Sequence, residues 1–307
     1  MYRTLQKPPA TGNIVLNQRD MLWLRAVNRF RFLTSDQAEL LTGSPRHKVN
    51  RRLQKLWAFD YLARPEVQLE AYSYRDKRHT VHALGQRGAQ WLAENDGVQF
   101  PKGKGWHTAN QLKSSERLAH QIGVVDTVLM LQRDIANADG LRLTHHDEII
   151  ADLNWPTGLK HHRLPTKVRQ NGVLVDRGTD PDYTFLVSKR VGDQEKHGLC
   201  FLEWDNATED YIKTNRLASS IAQKHLCYAY AYSKGLHRDL YGRSNFRVLF
   251  VVNGDSHRLD KMREVCERVV TDVPKGIFWY TTHAEMEARG TLGDIWINGD
   301  GKRLTLV

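Results

Sequence analysis

The sequence predicts a two-domain chain of mixed α+β/αβ class: a small helical domain with a β-ribbon, then a larger α/β sandwich. Three observations predict it. The 307 residues suffice for two domains with separate cores. Residues 17–95 read as three helices, a polar ribbon and a further helix. From residue 111 onward the order becomes helix, three strands, helix, strand, helix, strand, and the strands are apolar on both faces.

Each element has a local signal. "NQRDMLWLRAVNRFRF" sets Met21, Leu24, Val27 and Phe30/Phe32 on one helical face. "LTSDQAELLTG" offers Thr34 and Ser35 as N-caps and Gly43 as a stop. "SPRHKVNRRLQKLWAFDYL" begins with Ser44 as a cap and Pro45 in the first turn. Val49, Leu53, Leu56 and Trp57 then recur at i, i+4, i+7 and i+8. "EAYSYRDKRHTVHAL" alternates and turns at Arg75-Asp76-Lys77, a wing with a charged tip, and "GQRGAQWLAEN" closes the unit as a helix.

A short helix, a tight turn, a basic helix and a basic-tipped ribbon make a winged helix-turn-helix. Residues 44–64 hold six Lys/Arg against one acid, Asp60. A solvated surface helix also has one apolar and one basic face, and such folds also make protein contacts; the order of the elements is what argues for DNA. In that reading Arg46, Lys48, Arg51, Arg52 and Lys55 meet the major groove or its phosphates, and Arg75, Lys77 and Arg78 meet an adjacent backbone or minor groove.

Composition agrees. The 45 basic and 35 acidic residues give a net charge of +10, a balance that favours a polyanionic partner, double-stranded DNA before a membrane. Hydrophobic residues at 40% and charged residues at 26% describe a globular chain. No run is apolar enough to span a bilayer and the N-terminus lacks signal-peptide logic, so a cytoplasmic location is expected. Cys200, Cys227 and Cys266 are scattered in apolar segments and read as buried small hydrophobes. Nothing implies a small-molecule substrate; a homodimer is an open expectation.

"NDGVQFPKGKGWHTANQ" reads as a basic linker. The expected division is therefore a DNA-binding domain at 17–95, a linker at 96–110 and the sandwich at 111–307. The sandwich opens with a long amphipathic helix carrying Leu118, Ile122, Val125, Leu129 and Gln132 on one face. "LRLTHHDEII" reads as a strand. Residues 151–179 read as a long polar loop, with Lys160, His161, His162, Arg163, Lys167 and Arg169 suited to a DNA backbone. "PDYTFLV", "GLCFLEWD", "FRVLFVVN" and "GIFWYTT" read as buried strands. "NRLASSIAQKHLCYAYAYSKG" is a helix stopped by Gly235; "SHRLDKMREVCERVV" is a helix capped by Ser256, and "HAEMEARG" a short one.

Carboxylates stand at the ends of two of these strands. Side chains two apart share a face of a strand, so Glu203 and Asp205 point together, opposite Cys200, Leu202 and Trp204. If the strands are neighbours, Asp182 approaches Glu203, and two or three convergent carboxylates suit Mg²⁺ or Mn²⁺. Taken singly, Asp180 and Asp205 read equally well as ordinary strand-end charges.

Pro181-Asp182, a gap, and Glu203-x-Asp205 in an αβββαβ order resemble the PD-(D/E)XK nuclease superfamily. More specifically, the winged helix, the "PD" strand, "FLEWDNATED" and "QKHLCYAYAY" resemble the replication-relaxation family of plasmids and mobile elements, over roughly residues 18–290. The resemblance implies a PD-(D/E)XK-type sandwich with Asp182, Glu203 and Asp205 as metal ligands and His120 or Glu116 contributing from the first helix of the sandwich. It also implies a lysine at position 205, where this chain has Asp205.

Lys224 is the candidate replacement. Leu217, Ile221, Lys224, Tyr228 and Tyr232 lie on one helical face, which sets a lysine in an apolar stripe facing the sheet. A lysine there either pairs with the carboxylates or snorkels at the stripe's edge. With 11 tyrosines, the sequence singles out none as a covalent nucleophile, and Tyr228 is a minor candidate. The expected function is a DNA-binding protein of a mobile element that acts on its site through a metal-dependent, nickase-like domain. The alternative is a non-enzymatic regulator whose second domain keeps the fold and serves dimerisation or partner binding.

Overall fold

The structure is a computed structural model and describes residues 6–71, 80–100, 114–153, 163–170, 173–212 and 220–307. Arg75, Lys77, Arg78, Lys160, His161, His162 and Leu217 lie outside the described residues. The chain is a mixed α/β protein with two compact units, residues 1–129 and 130–307.

The first unit begins with α1 (Gln18–Phe30), whose Asn17 cap and Asp20 satisfy each other's backbone N–H groups in a capping box. β1 (Phe32–Thr34) runs into α2 (Ser35–Thr42), capped by a second reciprocal box between Thr34 and Gln37. Gly43 ends α2 at φ 61°, a left-handed position glycine adopts without penalty. α3 (Arg46–Ala58) buries Val49, Leu53, Leu56 and Trp57, the stripe its spacing predicts. Its N-cap is Pro45 and makes no side-chain bond; the expected cap, Ser44, instead accepts a 3.0 Å hydrogen bond from Arg19.

β2 (Leu62–Ala63) and β3 (Val81–Leu84) complete a three-stranded antiparallel sheet in the order β1-β3-β2. Residues 72–79, most of the predicted ribbon's first arm and its tip, lie outside the described residues. Gln68–Ala71 is a helical turn, α4, and the partners of β3 are β1 and β2 upstream. Gln68 holds this arrangement, since its amide accepts from Val81 N and donates to Val81 O, serving as a side-chain substitute for a strand. α5 (Gln86–Asp96) follows and ends at Gly97, φ 68°.

Helix α6 (Ser115–Ala136) carries residues of both units. The second unit is built on a seven-stranded sheet. β4 (Leu141–His145) is shorter than its sequence suggests, because His146–Ala151 is helical, α7. Asp147 and Glu148 occupy its first turn, where the helix dipole favours negative charge. The expected long loop also contains order: β5 (Lys167–Gln170) and β6 (Val173–Asp176) pair antiparallel. Asn171-Gly172 between two alternating runs is the sequence signal for such a hairpin.

β7 (Tyr183–Val191) and β8 (Gln194–Asp205) form a long antiparallel pair. α8 (Ile221–Ser233) starts at a Ser220 cap, and Gly235 at φ 70° separates it from α9 (Leu236–Tyr241). β9 (Phe246–Val252) runs parallel to β8, and β10 (Phe278–Thr282) parallel to β9. Between these two strands lies α10 (Ser256–Val269), whose cap is Asp255 rather than the expected Ser256; the Asp255 carboxylate accepts from Arg258 N at 3.1 Å. α11 (His283–Arg289), β11 (Trp296–Asn298) and β12 (Arg303–Leu304) finish the chain, the last two being strands the sequence reading did not anticipate.

The sheet order is β12-β11-β10-β9-β8-β7-β4. Its parallel steps require crossovers, and their helices α8 and α10 pack together over one core with Phe201, Val248, Phe250, Phe278 and Tyr280 of the sheet. Among the described residues no helix is long and apolar enough to cross a membrane.

Candidate functional site

Period-two geometry decides where the β8 carboxylates go. Leu199 and Phe201 enter the core under α8 and α10, so Glu203 and Asp205 point to the same layer. Both are almost fully buried. Burial of two adjacent acids is costly unless each finds donors, and the two helices supply them.

Glu203 is held by two residues one turn apart on α8. Lys224 Nζ lies 2.9 Å from Oε2, and the Tyr228 hydroxyl donates to Oε1 at 2.5 Å. Lys224 also contacts Glu209 at 3.0 Å, on the segment after β8. Asp182 stands across from Glu203, one residue beyond the Tyr183–Leu202 pair, and its Oδ2 accepts from Trp204 N at 2.8 Å. Burial pushes the Glu203 carboxyl up to about 7 against the pull of Lys224, and the Asp182 charge adds to the rise. Burial alone would lower the Lys224 ammonium, but Glu203, Asp182 and Glu209 outweigh it and raise it. Burial, then the neighbouring Glu203, raises Tyr228 well above an ordinary phenol.

Asp205 belongs to a separate arrangement. Arg258 of α10 grips it with Nε at 2.6 Å and a terminal nitrogen at 3.1 Å. The same nitrogen donates to Glu209 O at 2.5 Å, and the guanidinium lies over the Tyr211 ring. Arg258 thereby ties the end of β8 to the segment that presents Glu209.

These contacts test the expected metal site. Both oxygens of Glu203 and both of Asp205 already accept from Lys224, Tyr228 and Arg258, and among the described residues no three His, Cys, Asp or Glu side chains gather in a metal-binding geometry. Among the described residues, the cation these carboxylates hold is Lys224. Asp205, expected among the metal ligands, is held by Arg258. His120 is half-buried in the first unit, whereas the carboxylate cluster is formed by second-unit residues.

Sequence reasoning brought Asp182, Glu203 and Lys224 together and undervalued Tyr228, four residues along the stripe from Lys224. It missed Glu209 and Arg258. For Glu209 the only local sign was an acid after the strand. Arg258 is 53 positions from Asp205, and nothing in its helix marks it.

The basic helix of the first unit carries a different kind of site. Asn17 and Arg19 of the α1 start and Lys48, Arg51, Arg52 and Lys55 of α3 line a cleft of about 380 Å³. Arg52 is committed within the fold. Its guanidinium binds the fully buried Asp20 at 2.9 and 2.5 Å and Val15 O at 2.6 Å, so it is corrected from a DNA contact to the residue that ties α3 to α1. Arg46 pairs with Asp36 at 2.6 Å. Lys55 donates to Asn13 O at 3.0 Å. Lys48 and Arg51 are exposed, and their side chains have no hydrogen-bond or ionic partner among the described residues.

No curated protein and no solved structure matches the chain. A model of the replication-relaxation family matches residues 24–244, from the middle of α1 past α9, a stretch that includes the α3 residues of the basic cleft and the carboxylate–lysine cluster. The chain belongs to the replication-relaxation family.

Proposed function

We propose that this protein binds double-stranded DNA through its first unit, as a winged helix-turn-helix, in the replication or mobilisation of a plasmid or other mobile element. The observation that carries the reading is the basic cleft beside α3. It gathers five cations, of which, among the described residues, Arg52 alone meets an acid, Asp20. The order α1-β1-α2-α3-β2-α4-β3 with a β1-β3-β2 sheet resembles a winged helix that carries a helical turn between β2 and β3, and family membership supplies the replication theme.

The mechanism of binding follows from charge. Lys48 and Arg51 displace condensed counterions when they reach phosphates, so affinity falls with salt in proportion to the contacts made. Arg52 keeps α3 in place against α1 while the exposed cations engage. The test is anisotropy of a random-sequence duplex with the full chain at several salt concentrations, wild type beside Lys48→Glu/Arg51→Glu. At least a ten-fold weakening and a shallower salt slope are expected; equal affinity in the double variant overturns the reading.

A second reading is favoured by one contact, Lys224 on Glu203. A PD-(D/E)XK-type sandwich needs a lysine beside the acids, and here α8 supplies it in place of position 205. Lys224 would steady charge on a phosphodiester, with Glu203 and Asp182 as the acids that hold it. Incubation of supercoiled plasmid with the protein, with and without Mg²⁺ or Mn²⁺, beside Glu203→Ala and Lys224→Ala, tests it. Nicking lost in both variants supports an enzyme; no nicking of a plasmid that the protein binds leaves a non-enzymatic regulator.

A further inference from the structure

Helix α3 presents two exposed strips of different chemistry. Residues 48, 51, 52 and 55 recur at i, i+3, i+4 and i+7 and line the cleft with the start of α1. Residues 47, 50 and 54 recur at i, i+3 and i+7 on the neighbouring side. His47, Asn50 and Gln54 are exposed and have no hydrogen-bond or ionic partner among the described residues. The buried stripe at Val49, Leu53, Leu56 and Trp57 fixes the helix's rotation, so the two strips cannot exchange places.

We propose that α3 divides its work: the cleft seats backbone phosphates, and Asn50 and Gln54 read base edges, adenine first. The inference rests on the DNA-binding reading and deepens it. Cations in a concave site suit a phosphate, which carries no sequence information. Arg19 and Lys55 are held there by neutral acceptors, Ser44 Oγ and Asn13 O, so their charges stay available. A primary amide instead offers an N–H donor and a carbonyl acceptor on one edge, with a second N–H to spare. That pattern matches adenine N7 and N6 in the major groove, where Asn and Gln bind bidentately. An α-helix with cations along one side and amides on the next can follow the groove, with its charged side toward one backbone. The arginines and lysines, expected to meet the major groove or its phosphates, take the phosphates in this division, and the two amides take the bases.

The experiment selects duplexes from a random-sequence pool with the full-length wild-type chain, then measures the selected and a scrambled duplex over a salt series. Asn50→Ala/Gln54→Ala is expected to lose discrimination between the two duplexes by about ten-fold or more per contact, with the salt slope unchanged. Lys48→Ala/Arg51→Ala is expected to lose affinity for both duplexes equally and to reduce the slope by about 0.9 for each phosphate contact removed. Retained discrimination in the amide variant overturns the division while leaving the DNA-binding reading intact, and so does an unchanged slope in the cation variant when wild type binds. A wild-type chain that enriches no sequence also overturns it. A wild-type chain that binds no duplex overturns the reading beneath it.

Discussion

Lys224 Nζ sits 2.9 Å from Glu203 Oε2, inside the layer between the sheet and its crossover helices. The lysine is one-fifth exposed and the glutamate almost fully enclosed, so neither charge has water as a ready alternative. Removing Lys224 takes the counter-charge from the buried Glu203 and leaves it the Tyr228 hydroxyl as a donor. We expect Lys224→Met to destabilise the second unit by roughly 3 kcal/mol, and Lys224→Met/Glu203→Leu to recover most of that loss. Urea unfolding of the two single variants and the double variant measures the coupling. A double variant no more stable than Lys224→Met would show that the charges do not depend on each other.

Position 205 tests the tertiary partner against the family pattern. A lysine there would meet the nitrogens of Arg258, which now hold Asp205 at 2.6 and 3.1 Å. Asp205→Lys is therefore expected to cost about 3 kcal/mol or more, and distinctly more than Asp205→Asn, because it confines two like charges. Thermal denaturation compares them. Wild-type stability in Asp205→Lys would mean that Arg258 is free to leave.

Arg51 and Arg52 are sequence neighbours with opposite duties. Arg52 joins the fully buried Asp20, which also accepts from Asn17 N at 2.8 Å. Arg52→Ala should destabilise the first unit by roughly 3 kcal/mol, whereas Arg51→Ala, at an exposed site, should stay within about 0.5 kcal/mol. Duplex binding should show the reverse order once folding is complete. Equal melting temperatures for the two variants would remove the structural role given to Arg52.

His225 gives a pH dependence with a defined sign. It is wholly buried on α8, Nδ1 lying 2.8 Å from Ile221 O and Nε2 2.7 Å from the Tyr280 hydroxyl, with its ring stacked on Phe250. Nδ1–H donates to the carbonyl, and Nε2 accepts from Tyr280. Burial pushes its pKa down from 6.5 to about 4, with Lys224 adding to the fall. The unfolded chain takes up the proton first as pH falls, so the contribution of neutral His225 is full above pH 6.5 and lost progressively towards pH 4. The stability advantage of wild type over His225→Gln should therefore be largest at pH 7 and shrink towards pH 4. A difference that stays constant over that range would contradict the assignment.

The sequence by itself determined the element types and the two faces of most elements. Thr34 and Ser35 marked a cap, which the fold gave to Thr34; Gly43 and Gly235 specified stops, and Val49, Leu53, Leu56 and Trp57 specified the rotation of α3. It also placed Lys224 in an apolar stripe, where a lysine either pairs or snorkels; the fold paired it with Glu203. These are local facts, written in spacings of two, three and four residues, and local spacing is what propensity and periodicity resolve. The tertiary structure alone decided which atoms meet. Arg258 reaches Asp205 across 53 residues, Asp182 caps Trp204 N across a strand pair, and Arg52 rather than Arg51 turns inward to Asp20. A charged residue reads the same in sequence whether it faces solvent or a buried counter-charge. The difference is desolvation, and desolvation exists only once distant segments have closed over the site.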